Sequence, residues 1–134
     1  MTLPAAQIDE LKERASAVMR HAYAPYSGFR VGAAVLLRDG RVFTGANVEN
    51  ASYGLTNCAE RSAIFAACSA TEGGRIEIAA VVVDNAAGVA CSPCGACRQV
   101  IAEFADGETL VWYRGAEGWV ERKMAELLVD GFRL

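Results

Sequence analysis

Four of the five cysteines in this chain stand where a metal ion could use them. Cys94 and Cys97 form a Cys-x-x-Cys pair directly after Pro93. Residues three apart on a helix share a face, so both sulfurs can reach one ion if a helix begins there. In a first turn the dipole and the unpaired N–H groups favour thiolate over thiol. The same face continues through Ile101 and Phe104, which turns the pair toward the core. Cys58 follows Thr56 and Asn57, residues of the capping type, and so opens another helix. Two helix N-termini aimed at one point supply three thiolates, and zinc is the natural divalent ion for them.

Whether such a site is catalytic or structural turns on Glu60 and Cys91. Three protein ligands with water in the fourth place is the catalytic arrangement; four closed ligands is the structural one. Glu60 heads a stripe through Ala63, Ile64, Ala67 and Cys68. A carboxylate on that apolar side is costly without a partner. Desolvation raises its pKa, which suits it to take and return a proton near neutrality. Alternatively, Glu60 only complements the N-terminus of its helix. Cys91 completes Cys91-x-x-Cys94-x-x-Cys97, superficially an iron–sulfur run, but Arg98-Gln99-Val100 follows where a further Cys-Pro would stand. Cys91 could still be a fourth ligand closing a structural zinc site. A thioredoxin-like redox pair at Cys94 and Cys97 would leave Cys58 and Glu60 without a role. Cys68 reads as a small core residue, and His21, the only histidine, as structural.

These residues need elements to hold them. Thr2 and Pro4 mark a helix start, and Ile8, Leu11, Ala15, Val18, Met19 and Ala22 recur at helical spacing to about Tyr23. Pro25 and Gly28 mark a loop. Val31 to Leu37 reads as a strand, Asp39-Gly40 as a hairpin turn and Arg41 to Ala46 as the return strand. Asn47 to Asn57 is polar and loop-like. Ala59 to Ala70 reads as a helix ended by Gly73-Gly74, and Arg75 to Val83 as a strand covered on both faces. A helix preceded by Pro93 and running to about Ala105, a strand over Thr109 to Tyr113 and a last helix over Glu121 to Leu128 follow. The order α-β-β-α-β-α-β-α predicts a mixed sheet layered with helices.

Composition narrows the partners. The chain has 134 residues, 53% apolar and 22% charged, with a net charge of −3 and a pI near 5.2. One domain over residues 1–134 is expected. The abundance of alanine predicts close helix contacts and close packing between subunits. No apolar stretch approaches the roughly 20 residues that span a bilayer, and residues 1–20 lack the apolar run of a signal peptide. The expectation is therefore a cytoplasmic protein, away from membranes, with reduced cysteines. The acidic balance excludes a grip on long nucleic acid. A small ligand remains open.

Cys58-Ala59-Glu60-Arg61, followed by Pro93-Cys94-Gly95-Ala96-Cys97-Arg98-Gln99, resembles the small homotetrameric zinc-dependent cytidine deaminase family. Tyr26-Ser27-Gly28-Phe29, Val31-Gly32-Ala33-Ala34 and Asn47-Val48-Glu49-Asn50-Ala51-Ser52-Tyr53 match its segments in order. The resemblance implies an α/β fold of the cytidine-deaminase-like three-layer α/β/α kind, with a mixed β-sheet. It also implies one Zn2+ per chain held by Cys58, Cys94 and Cys97, with Glu60 as the proton carrier. Cytidine and 2′-deoxycytidine would become uridine and 2′-deoxyuridine with release of ammonia, as in pyrimidine salvage. The Ala59 N–H would donate to the pyrimidine O2, Phe29 would pack on the base, and Asn47 and Glu49 would hold the ribose 3′-hydroxyl. Without the resemblance, Asn47 and Glu49 read as an ordinary polar loop.

Three thiolates on one dication leave a negative site, which Arg61 or Arg98 could offset through hydrogen bonds to sulfur; the alternative is two surface arginines. Leu127-Leu128-Val129-Asp130-Gly131-Phe132 resembles the family's Leu-Leu-Pro segment ending in Phe, with Val129 replacing the proline. The implication is a homotetramer with active sites at subunit interfaces, where Phe132 reaches a neighbour's site and Tyr53 and Ala51 are weaker candidates. Two other functions stay open at this point. One is a related deaminase acting on another aminopyrimidine nucleoside, such as a nucleoside antibiotic. The other is a structural zinc-binding interaction module.

Overall fold

A strand that is apolar at successive positions must be covered on both faces, and Ile78 to Val83 dictates the architecture in this way. In the computed structural model, which describes residues 2–134, strand β3 (Ile78–Asn85) is buried along its whole length. Met1 lies outside the described residues. β3 pairs antiparallel with β1 (Val31–Leu37) and parallel with β4 (Leu110–Gly115). Strands β2 (Val42–Ala46) and β5 (Gly118–Lys123) form the edges, giving the mixed order β2-β1-β3-β4-β5.

Alternation along β1 sends Ala33, Val35 and Leu37 to one face and Ala34 and Leu36 to the other. Helix α1 (Ala5–Val18) covers the second face with Leu11 and Ala15. Helices α2 (Ala59–Ser69), α3 (Gly95–Phe104) and the short α4 (Met124–Leu127) cover the first, through Ile64, Ile101 and Leu127. This is the expected three-layer α/β/α arrangement. Fully burying an Ile or Leu contributes about 1.5–3 kcal/mol, so the two layers hold the sheet firmly. Two glycines set how closely the helices approach. A Cβ on Gly32 would collide with the Ala15 carbonyl oxygen of α1, and one on Gly45 with the Ala63 nitrogen of α2. Close helix contacts are thus built from alanine facing glycine.

Three boundaries differ from the sequence expectation. Helix α1 stops at Val18; Met19–His21 tightens to a 3₁₀ turn, and Tyr23 is free to bridge Val48. The strand expected from Arg75 starts only at Ile78, because Gly73 and Gly74 turn the chain with positive φ, and it runs on to Asn85. The larger correction concerns the last helix. Residues 121–123 of the expected helix belong instead to strand β5, and only Met124–Leu127 is helical. Gly118 takes φ 126°, which glycine adopts without steric cost, and the turn sets Gly115 opposite Gly118. Trp119 then lies beneath Arg114 and Lys12, at 4.2 and 4.9 Å from cation to ring centroid. Pairing with β4 and these contacts outweigh the helix preference of Glu121, Arg122 and Lys123 in isolation.

Candidate active site

Two helix starts converge beside β3. Cys58 is the N-cap of α2, and the segment that delivers it is fastened rather than loose. Val48 bridges both Tyr23 and Asn57. The Asn57 amide donates to the Ser62 hydroxyl at 3.1 Å, and Thr56 Oγ1 accepts from the Asn50 N–H at 3.1 Å. Cys94 is the N-cap of α3, where its sulfur accepts from the Cys97 N–H at 3.4 Å. Upstream, the Cys91 N–H donates to the Arg114 carbonyl at 2.9 Å.

The sulfurs of Cys58, Cys94 and Cys97 all lie within 4.8 Å of one another, and Cys58 and Cys94 are 3.9 Å apart. Tetrahedral zinc with Zn–S bonds of about 2.3 Å sets its sulfurs about 3.8 Å apart. The donor set and its spacing therefore fit zinc. Cys97 is buried but Cys94 is exposed, so the pair is half displayed, not wholly buried as the sequence suggested. Cys91 stands outside the cluster, and burial raises its thiol pKa.

The charge of this thiolate cluster has a nearby answer. An Arg61 terminal nitrogen donates to Cys58 Sγ at 3.2 Å, while Arg61 Nε is buried without a partner. The Cys97 thiol and then Arg61 hydrogen-bond to Cys58 and hold its pKa at about 5 against the opposing effect of burial. The same hydrogen bond, with burial, pushes the Cys97 thiol up. Binding a metal ion requires the sulfurs as thiolates, so their protons are released when it binds.

Glu60 sits two residues beyond Cys58 and is only 4% exposed. Burial pushes its carboxyl above the usual range, and the negative Cys58 adds to this. With Cys58 and Cys94 it lines a cavity of about 200 Å³ whose wall also includes Phe29, Asn47 and Ala59. Asn47 ties this wall together: its Oδ1 accepts from the Val31 N–H at 2.9 Å, and its Nδ2 donates to the Phe29 carbonyl at 2.8 Å. Sequence reasoning missed Val83 and Ser92, which also line the cavity. Val83 was legible only as core, and Ser92 carried no signal beyond its place before Pro93.

Three candidates lie elsewhere. Glu49 faces an adjoining cavity of about 370 Å³, which shares Thr56 with the first. Its Oε1 accepts from the N–H groups of Tyr26 and Ser27 at 2.9 and 3.2 Å, and the Ser27 hydroxyl donates to Oε2. Phe132 is 69% exposed and away from the cavity of its own chain. Arg98 touches no sulfur; it holds Pro93, Ser92 and Leu127. His21 is exposed, beside Arg20.

The comparisons with known proteins agree with this geometry. Residues 5–113 match the family model described as the cytidine and deoxycytidylate deaminase zinc-binding region. A cytidine deaminase of Halalkalibacterium halodurans is 53% identical over 113 residues, covering 83% of each chain. One of Mycobacterium tuberculosis is 44% identical over 132 residues, covering 98% of this chain and 94% of its own. The crystal structure of a cytidine deaminase from Burkholderia pseudomallei superposes with a TM-score of 0.83 at 45% identity, covering 92% of this chain and 98% of that one. Sulfur spacing, a buried carboxylate and likeness along nearly the whole chain converge, and the chain belongs to the zinc-binding cytidine and deoxycytidylate deaminase family.

Proposed function

We propose that this protein hydrolyses the 4-amino group of cytidine and 2′-deoxycytidine, giving uridine and 2′-deoxyuridine with ammonia. The observation that carries the reading is Glu60, a buried carboxylate in the cavity wall beside a three-sulfur site. A purely structural metal site has no use for that group, and Cys91 does not close the cluster.

Cys58, Cys94 and Cys97 would hold a zinc ion, which would supply the Lewis acidity that makes hydroxide available near neutral pH. Glu60, poised by burial to exchange protons, takes the proton of the attacking water and passes it to ring N3, then takes the proton of the new C4 hydroxyl and delivers it to the departing amine. Water adds at C4, the C–N bond breaks, and ammonia leaves. The Ala59 N–H, in the first turn of α2 without an intrahelical acceptor and at the cavity wall, donates to O2. Phe29 packs on the base. Asn47 and Glu49 take the ribose 3′-hydroxyl; for Glu49 this means reaching across the Thr56 boundary with lone pairs that the Tyr26–Ser27 loop leaves free. Arg61 offsets the negative charge of the thiolates.

The assembly we infer is a homotetramer with active sites at subunit interfaces, each chain a single domain over residues 1–134. Its support is exposed apolar surface, which marks association sites: Tyr53 at 80%, Leu55 at 71% and Phe132 at 69% exposure. Phe132 then closes a neighbour's cavity. Among the described residues no helix is long and apolar enough to cross a membrane. The five free cysteines support a cytoplasmic location.

The test is the ultraviolet change on mixing purified protein with cytidine, 2′-deoxycytidine and free cytosine, beside a Glu60→Gln variant. Turnover of the nucleosides only is expected, with one zinc per chain retained in the variant and its rate lowered at least 100-fold, the scale of general acid–base catalysis. Full activity of Glu60→Gln would remove the proposed role of Glu60.

A further inference from the structure

Arg98 directs its guanidinium to three acceptors. Its Nε donates to the Pro93 carbonyl at 2.8 Å, Nη1 to the Leu127 carbonyl at 3.0 Å and Nη2 to the Ser92 hydroxyl at 3.2 Å. Ser92 and Pro93 immediately precede the ligand Cys94. Leu127 is the last residue of α4, from which the tail departs toward Phe132. On either side of Arg98 along α3, Cys97 is a zinc ligand and Gln99 Nε2 donates to the Phe132 carbonyl at 3.2 Å. Three consecutive residues thus touch the metal site, the ligand loop and the tail.

The loop has few other attachments. Pro93 is buried and has no N–H to donate. Apart from the Cys91–Arg114 bridge, Arg98 supplies the bonds that hold residues 92 and 93. A planar fork with five donors can serve three acceptors at once; a lysine ammonium on a flexible stem does not hold them in one fixed plane. Removing it strips a donor from two carbonyls, and a buried acceptor left unpaired is costly.

We propose that Arg98 is a positioning residue that locks the Cys94-bearing loop to the end of α4, so that zinc retention and the seating of the Phe132 tail depend on each other. The functional meaning of that seating rests on the deaminase reading; the coupling itself does not. Partners that orient metal ligands typically change metal affinity 10- to 100-fold when lost.

The experiment uses zinc-loaded protein and two readouts besides activity: zinc release to a chromogenic chelator, and hydrogen–deuterium exchange of amides 128–134. In Arg98→Lys and Arg98→Gln, release is expected to be about 10- to 100-fold faster. Gln99→Ala should quicken tail exchange and, because coupling between two sites is reciprocal, zinc release as well, though less than the Arg98 variants do. In the wild-type protein, tail exchange should quicken when zinc is removed. A merely structural arginine would lower the unfolding temperature without linking these two readouts. Wild-type zinc release in folded Arg98 variants overturns the proposal. So does wild-type tail exchange indifferent to zinc, a measurement that decides the matter even if the variants fail to fold. Failure of the deaminase reading would look different: no turnover of cytidine, with the coupling intact.

Discussion

Arg61 lies one turn along α2 from Cys58 and donates to its sulfur at 3.2 Å. The same helix therefore supplies both a candidate metal ligand and a cation hydrogen-bonded to its sulfur. Replacing Arg61 with Gln removes the charge and leaves three thiolates on one dication. Zinc release should then be 10- to 100-fold faster, with a matching fall in activity at limiting zinc. Chelator competition on the purified variant measures this directly.

Glu49 provides a test of pH dependence. Its carboxyl is held below the usual range, first by the hydrogen bond from Ser27 and then by the N–H groups of Tyr26 and Ser27, against an opposing effect of burial. A depressed acid contributes stability that is present above its unfolded value, near 4.5, and lost as pH falls through the folded value. Acidification should thus loosen the 26–28 loop below that range. In Ser27→Ala, carboxyl titration followed by NMR should move up toward 4.5.

Cys91 lines the cavity without joining the sulfur cluster. Cys91→Ser is accordingly expected to retain one zinc per chain, measured by elemental analysis after gel filtration. Loss of the metal would place Cys91 among the ligands.

Phe132 is exposed on its own chain, so truncating it should leave the folding free energy of the single chain nearly unchanged, within the about 0.5 kcal/mol usual for surface positions. If it closes a neighbour's cavity, Phe132→Ala should raise KM for cytidine several-fold. An unchanged KM would leave the tail no part in binding.

Gly32→Ala probes the contact between α1 and β1. The new Cβ meets the Ala15 carbonyl, a rigid backbone atom. Overpacking of this kind costs about 1–3 kcal/mol, and chemical denaturation should show a lowered midpoint.

Much of the site was legible because its geometry is local. Cys58 and Cys94 occupy helix N-caps and Cys97 lies one turn inside, so residue type, spacing and the preceding Pro93 place three sulfurs at two helix starts. Glu60, two positions from Cys58, follows from the same helix. β1 and β3 were readable from uninterrupted apolar runs, which local sequence displays directly.

What escaped depends on partners distant in sequence. Residues 121–123 read as the start of a helix, yet they complete β5 because the Gly115–Gly118 turn returns the chain to β4, whose open edge satisfies their backbone groups. Glu49 was placed with Asn47 by the family resemblance alone, but folding commits it to Tyr26 and Ser27, more than twenty residues away. Arg98 was a candidate for sulfur because it follows Cys97; its bond to Leu127, 29 residues on, could not be read from its neighbours. The sequence by itself determined which side chains could hold zinc and carry a proton, since helix periodicity and capping act within a few residues. Only the tertiary structure decided which cysteine stays outside the cluster and where each arginine and carboxylate finds its partner, because those choices are made by long-range packing that places the acceptors.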